Sequence, residues 1–404
     1  MSIKPPSYNL ITQFSIPLIF GIGIALLARN FFPELYLNFI HLEVLTIGNI
    51  DLSIKHIMND VFMAFMFGLA AKELVEAFGE GGCLRNPKSS LNPLLATLAG
   101  TLIPASLYYG LTRLLIDETL VMNGAAIPIA TDIAFAWLGA RILFGAKHPA
   151  VQYLLLLAIL DDALGMFVLA VFYPNPDIAL NLSWLWVSGL GISIVALFRL
   201  YQVHQWFLYI AVGGTLSWLG LLQAGLHPAL ALVFIVPFIP APEHDTGLYK
   251  TNTEETSPMQ DFEHNIKPVI DFGLFFFALV NAGVPITGSS FTLVTMIIFL
   301  SALGGKVIGI FGMVYILDKI GLPLPQGISL DNMKAIALLA GVNITVSLFL
   351  ADRAFGGTEY EYGAKMGALL TLVIPLGIIT YKGWQYAWQQ VEDFHWIDER
   401  SLYK

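Results

Sequence analysis

The stretch from Val151 to Tyr173 is almost wholly apolar, yet two adjacent acids, Asp161 and Asp162, sit at its middle. A helix of that length crosses a bilayer, and a charge near its centre costs about 2.5 kcal/mol or more. Two carboxylates at that depth constrain everything around them, because the remaining chain must supply counter-charges, polar partners or a watery path. A purely structural pair is one reading, but a lone Asp–Lys contact would meet that need. Intramembrane acids characteristically line ion or proton routes. Successive helical residues point about 100° apart, so the two acids face different surroundings.

The same character runs through the chain. Its 404 residues are 56% hydrophobic and only 12% charged, against about 25% charged in soluble domains. Mean hydropathy is +0.72. These values predict an all-α polytopic membrane protein. The net charge of −9, with no basic cluster to neutralise phosphates, argues against a nucleic-acid partner. Cys83 is the single cysteine, which excludes intramolecular disulfides and disfavours a thiolate metal site. The N-terminus leads into a full-length apolar span rather than a short signal core, so a retained first helix is expected.

Apolar windows of spanning length fall near 9–29, 56–78, 92–112, 120–141, 150–173, 183–200, 205–223, 226–240, 266–286, 291–316, 332–351 and 363–388. Twelve spans put both termini on one side. With the termini in the cytoplasm, most of the 20 basic residues lie inside. Arg29, Lys55, Arg113, Arg353 and Lys365 then lie outside and Lys306 falls mid-span, a bias that supports this orientation. Short loops leave no room for a soluble domain, so residues 1–404 read as one transmembrane unit. Residues 40–55 carry Gly48-Asn49 between β-formers and predict an outside hairpin, either a plain connector or a surface that pairs with a second copy. Residues 241–265 are acidic, which fits a solvated linker or a cation- or pH-responsive surface.

Two spans carry interruptions. The fourth places Pro128 four residues before Asp132, next to Thr131, and proline removes a helix hydrogen bond. The eleventh gathers Gly341, Asn343, Thr345 and Ser347 at its centre. Unwound backbone at that depth survives only where it lines a cavity or is buried in protein. Spans 3–5 and 10–12 run in opposite senses, each with its broken member second. Interrupted helices in corresponding positions of inverted repeats are the best pointer in a sequence to a transporter's binding site. Crossing there, four half-helices bring two positive and two negative ends together, each worth about half a charge. Asp132 is placed to offset the positive ends. Lys306 is placed to offset the negative ends or to pair with Asp161.

The segments Thr131-Asp132, Asp161-Asp162 and Gly304-Gly305-Lys306-Val307-Ile308-Gly309 resemble the defining motifs of the NhaA family of bacterial sodium/proton antiporters. Phe262-Glu263-His264, Asn281-Ala282-Gly283 and Thr345-Val346-Ser347 extend the resemblance over essentially the whole chain. It implies a multi-pass homodimer in the bacterial inner membrane, joined through the 40–55 hairpin, that expels Na+ or Li+ in exchange for protons. The core bundle would comprise residues near 92–173 and 291–388, and the scaffold those near 9–78 and 183–286. The resemblance makes Asp132 and Asp162 the Na+ ligands and Asp161 and Lys306 the partner pair, with Asp60 a candidate auxiliary acid. Two departures stand out. At the inner end of span 2 the chain reads Ala70-Ala71-Lys72-Glu73, where the family carries a denser charge cluster. Lys72, Glu73, Glu263 and His264 are accordingly candidate pH-responsive residues with a shifted range. Asn343 replaces a usual glycine and is a candidate auxiliary residue.

The chemistry agrees with this reading without the family name. Hard monovalent cations favour oxygen ligands, which Asp132, Asp162, the Thr131 hydroxyl and unwound backbone can provide. No cofactor is expected; Na+ or Li+ is cargo. An intramembrane aspartyl protease also uses two acids, but the Gly-x-Gly-Asp and Tyr-Asp contexts expected of one are missing around Asp132, Asp161 and Asp162. A Na+-coupled organic-anion or bicarbonate transporter on the same scaffold is the second alternative, disfavoured by three acids against one lysine.

Overall fold

The computed structural model describes residues 16–47, 50–79, 82, 84–85, 87–145, 147–174, 180–241, 257–378 and 380–381. The Gly48-Asn49 turn, most of the acidic 241–265 loop and the 384–404 tail lie outside the described residues.

Helices dominate because apolar runs of this length satisfy every backbone group internally. The order begins with α1 (Ile16–Phe31) and α2 (Pro33–Ile40). A hairpin of β1 (Glu43–Ile47) and β2 (Ile50–Ser53) follows, antiparallel, with Glu43 opposite Ser53 and an irregularity between Glu43 and Leu45. The expected hairpin is therefore present. Helix α3 then starts at Ile54–His56, passes through a π turn at Ile57–Phe62 and continues as Met63–Phe78. Next come α4 (Pro87–Leu115), α5 (Thr119–Met122), α6 (Ile133–Phe144), α7 (Pro149–Phe172) and α8 (Leu185–Leu200). Helix α9 comprises Trp206–Leu208, a π turn at Tyr209–Gly214 and Thr215–Ala224. The chain closes with α10 (Pro258–Asn281) and with α11, which runs Leu293–Lys306, a π turn Val307–Phe311, then Gly312–Lys319. Last are α12 (Leu330–Ala340), α13 (Thr345–Phe355) and α14 (Tyr360–Leu370).

Each expected span has a helical counterpart, but not all are alike. Among the described residues six helices are long and apolar enough to cross a membrane alone, and α12 with α13 makes a seventh across a 46° bend. Helices α3 and α10 are less apolar, carrying Lys72, Glu73 and Glu76 in the one and Asp261, Glu263, Lys267 and Asp271 in the other. The eighth span differs in kind. It is 3-10 helix at Pro228–Val233 and Val236–Phe238 rather than α-helix, with Pro228 and Pro237 each removing a backbone donor.

Packing brings α11 against both α4 and α14, and α7 against α4 and α6. Glycines set the α4–α11 distance. A Cβ on Gly305 would stand 2.5 Å from Pro104 Cα, and one on Gly309 would stand 2.4 Å from the Ala99 carbonyl oxygen. Small residues at such a seam let two membrane helices approach backbone to backbone. This closeness carries Lys306 into the middle of the protein, where it is 0% exposed.

Candidate functional site

Both interruptions are real, and they meet. The fourth span is helix to Ala126, a turn over Ile127–Ile129, extended chain to Asp132, and helix again from Ile133. The eleventh ends one helix at Ala340 and starts another at Thr345. The two breaks are stitched together by the backbone and short side chains. Asp132 N–H donates to the Val342 carbonyl at 2.7 Å, and Asn343 Nδ2 and Ser347 Oγ both donate to the Ile127 carbonyl, at 3.1 and 2.6 Å.

Asp132 is the N-cap of α6, its Oδ1 accepting from Phe135 N at 3.4 Å. Its Oδ2 accepts from the backbone N and the hydroxyl of Thr345, at 3.3 and 3.1 Å. One carboxylate thus answers the positive ends of two half-helices, as the sequence led us to expect. The negative ends are answered differently. Neutral donors serve them: Thr131 Oγ1 lies 2.7 Å from the Ala340 carbonyl, and Asn343 and Ser347 serve Ile127. Lys306 takes the other option left open by the sequence.

That option is Asp161. Lys306 Nζ lies 2.6 Å from Asp161 Oδ2, with both side chains fully buried. Thr131 Oγ1 approaches the same Oδ2 at 2.7 Å, and Thr101 Oγ1 reaches Oδ1 at 3.2 Å. Each hydroxyl has one proton, so Thr131 divides its donation between Asp161 and Ala340, and Thr101 between Asp161 and the Thr97 carbonyl 2.9 Å away. In this conformer the Thr131 hydroxyl therefore faces Asp161 rather than Asp132. The π turn directly after Lys306 is a feature common at functional positions.

Asp162 stands apart. Its Oδ1 is buried with no hydrogen-bond donor, although the residue as a whole is only partly buried. The charges that act on it are Glu73, Asp161, Asp132 and Lys306, three acids and one base. Among the described residues no group of three His, Cys, Asp or Glu side chains is arranged to hold a metal ion.

Away from the crossing, charges gather at both ends of the bundle. At the end remote from the hairpin, Lys72 Nζ lies 2.5 Å from both Glu76 and Glu263, tying α3 to α10. Glu73 is next to this cluster and under the charge of Lys72 and Glu263. The structure thus brings together Lys72, Glu73 and Glu263 of the candidate pH-responsive set, adds Glu76, and leaves His264 on the exposed surface.

At the hairpin end, Asp60 Oδ1 accepts from Arg353 Nη2 at 2.8 Å. Asp352 accepts from Lys55 at 2.5 Å, Lys365 at 3.4 Å and Asn59 at 3.1 Å, and Glu361 from Lys365 at 2.5 Å. Asp60 is thus a paired acid rather than a lone one. Sequence reasoning missed this network because its partners are far apart in the chain, Asp60 and Arg353 by 293 positions. His227 is 1% exposed and packed edge-on to Phe349.

Comparison with known proteins agrees with this architecture. The model of the Na+/H+ antiporter 1 family matches residues 10–381. A Na(+)/H(+) antiporter NhaA from Geotalea uraniireducens is 42% identical over 367 residues, covering 91% of this chain and 93% of its own length. Those of Desulfitobacterium hafniense and Geobacter sulfurreducens are each 43% identical, covering 92% and 90% of this chain and 94% of their own. With breaks that cross, a buried Asp161–Lys306 pair and a match over nine-tenths of its length, the chain belongs to the Na+/H+ antiporter 1 family.

Proposed function

We propose that this protein exchanges Na+ or Li+ for protons across a bacterial inner membrane, cation and protons competing for Asp132 and Asp162. The observation that carries this reading is the contrast within the adjacent pair. Asp161 has its counter-charge in Lys306, whereas an oxygen of Asp162 is buried without a donor. A desolvated carboxylate in that position requires a positive partner. A proton or a monovalent cation supplies one, and the two exclude each other.

Asp162 and Asp132 bind the cation in this scheme, with Thr131 and the unwound backbone adding neutral oxygens. The Asp161–Lys306 pair compensates charge while the cation is absent. When Na+ enters, it displaces protons, and the lysine contact loosens. Glu73, whose charge acts on Asp162, connects the site to the Lys72–Glu76–Glu263 cluster, which with His264 tunes the response to internal pH. Asp60 belongs to the hairpin-end ion network as an auxiliary, structural acid. No resident cofactor takes part.

Exchange needs a site open to one side at a time. The core near 92–173 and 291–388 moves against the scaffold near 9–78 and 183–286, with both termini and the Lys72 cluster on the cytoplasmic side and the hairpin outside. The hairpin, exposed at Val44 and Thr46, pairs two protomers. An organic anion suits the site poorly, because acids outnumber bases at the crossing.

The test is direct. Everted vesicles or proteoliposomes containing the protein collapse a preset ΔpH on addition of Na+ or Li+, and Asp162→Asn abolishes the response. A wild-type protein that is silent to both ions from mildly acidic to alkaline pH overturns the reading.

A further inference from the structure

We infer that Asn343 supplies a neutral oxygen ligand to the passing monovalent cation and thereby sets its selectivity. The inference rests on the antiport reading above and adds a residue to its ion path.

Asn343 lies in the four-residue gap between α12 and α13, and it is 1% exposed. Two hydrogen bonds of its own define its setting. Its backbone N–H donates to Thr371 Oγ1 at 3.2 Å, and its Nδ2 donates across the crossing to the Ile127 carbonyl at 3.1 Å. Its neighbour Val342 accepts from Asp132 N–H, while Thr345, two residues on, holds the Asp132 carboxylate. The residue is thus flanked on both sides by the contacts that fix the cation-binding acid.

Its side-chain oxygen is unpaired. Asn343 Oδ1 is buried and receives no hydrogen bond. The amide orientation follows from its partner: turning it over would set the amide oxygen against the Ile127 carbonyl oxygen, two acceptors face to face. The free atom is therefore an acceptor. Buried acceptors are rarely left unpaired, and a glycine here would avoid the problem while easing a crowded crossing. A carboxamide oxygen is a hard, uncharged donor suited to Na+ or Li+. The unpaired atom gains its partner when a partly dehydrated cation occupies the crossing.

Three substitutions separate this role from simple bracing. Asn343→Leu keeps the volume but loses both the oxygen and the Ile127 bond. Asn343→Asp keeps an oxygen and loses the amide donor, and Asn343→Gly removes everything. Apparent KM for Na+ and for Li+ is read from ΔpH collapse in proteoliposomes, alongside calorimetric Na+ binding. Asn343→Leu and Asn343→Gly are expected to raise KM for Na+ about tenfold, the scale of one lost contact to a charged group. KM for Li+, an ion satisfied by fewer oxygens, rises less, so preference moves toward Li+. Asn343→Asp shows no such rise.

A KM for Na+ within about twofold of wild type in both Asn343→Leu and Asn343→Gly overturns the inference. So does an Asn343→Asp variant impaired as much as Asn343→Leu, which would assign the effect to the Ile127 bond. Failure of the antiport reading is distinguishable, because there the wild-type protein itself would not respond to either ion.

Discussion

Two groups of buried charge in this protein obey different rules. At the hairpin end three acids, Asp60, Asp352 and Glu361, meet three bases, Arg353, Lys55 and Lys365, and each carboxylate has a cationic partner. At the crossing, among the described residues, Lys306 is the one base facing Asp161 and Asp162, while Asp132 is met by helix ends. Both groups are removed from water, so burial does not distinguish them. Balance does. The first network is complete and joins α3 to α13 and α14. The second lacks positive charge, and only a proton or an ion can make up the deficit.

The largest expected effect breaks the comparison if it fails. Asp162→Asn should abolish Na+-driven ΔpH collapse, a loss of about 100-fold or more, because one competing site for cation and proton is gone. Its thermal midpoint in detergent should hold or rise, since the removed charge had no partner. Lys306→Met should act the other way, leaving Asp161 buried and unpaired at about 3–5 kcal/mol. A double Lys306→Met/Asp161→Asn variant should regain most of that stability without regaining full transport, and an additive result would deny the coupling. Asp352→Asn sharpens the contrast. It should lower the midpoint toward the small end of the same range, because Lys365 keeps Glu361, while transport per folded molecule survives.

Much of the crossing was legible in the sequence because polar residues inside apolar runs announce themselves. Asp132, Asp161, Asp162, Lys306 and the Pro128 and Gly341 breaks were all found that way. Not all of their partners were. Thr101, which touches Asp161, is one of several threonines on α4 and carries no charge to mark it. The choice of Lys306 between a helix end and Asp161 depended on how closely α4 and α11 approach, a distance set by Gly305 and Gly309. The hairpin-end network was invisible for another reason. Lys55, Arg353 and Lys365 each lie near a span end, where a basic residue is ordinary, and only folding shows that they point inward.

The smallest effect concerns Asp60, where the two groups compete for one residue. As a member of the balanced network it holds Arg353 and lies 3.8 Å from His227, so Asp60→Asn keeps an oxygen for Arg353 and loses only the charge. Stability should fall by about 1–3 kcal/mol, the worth of a hydrogen bond to a charged group. The apparent KM for Na+ should stay within about threefold of wild type at every pH. If Asp60 lay on the ion path, protons and Na+ would compete for it too. In that case the substitution would raise KM and flatten the increase in KM that acidification brings, about tenfold per pH unit for one competing proton. Measuring KM at several pH values in the variant therefore decides which rule Asp60 follows, independently of how much protein folds.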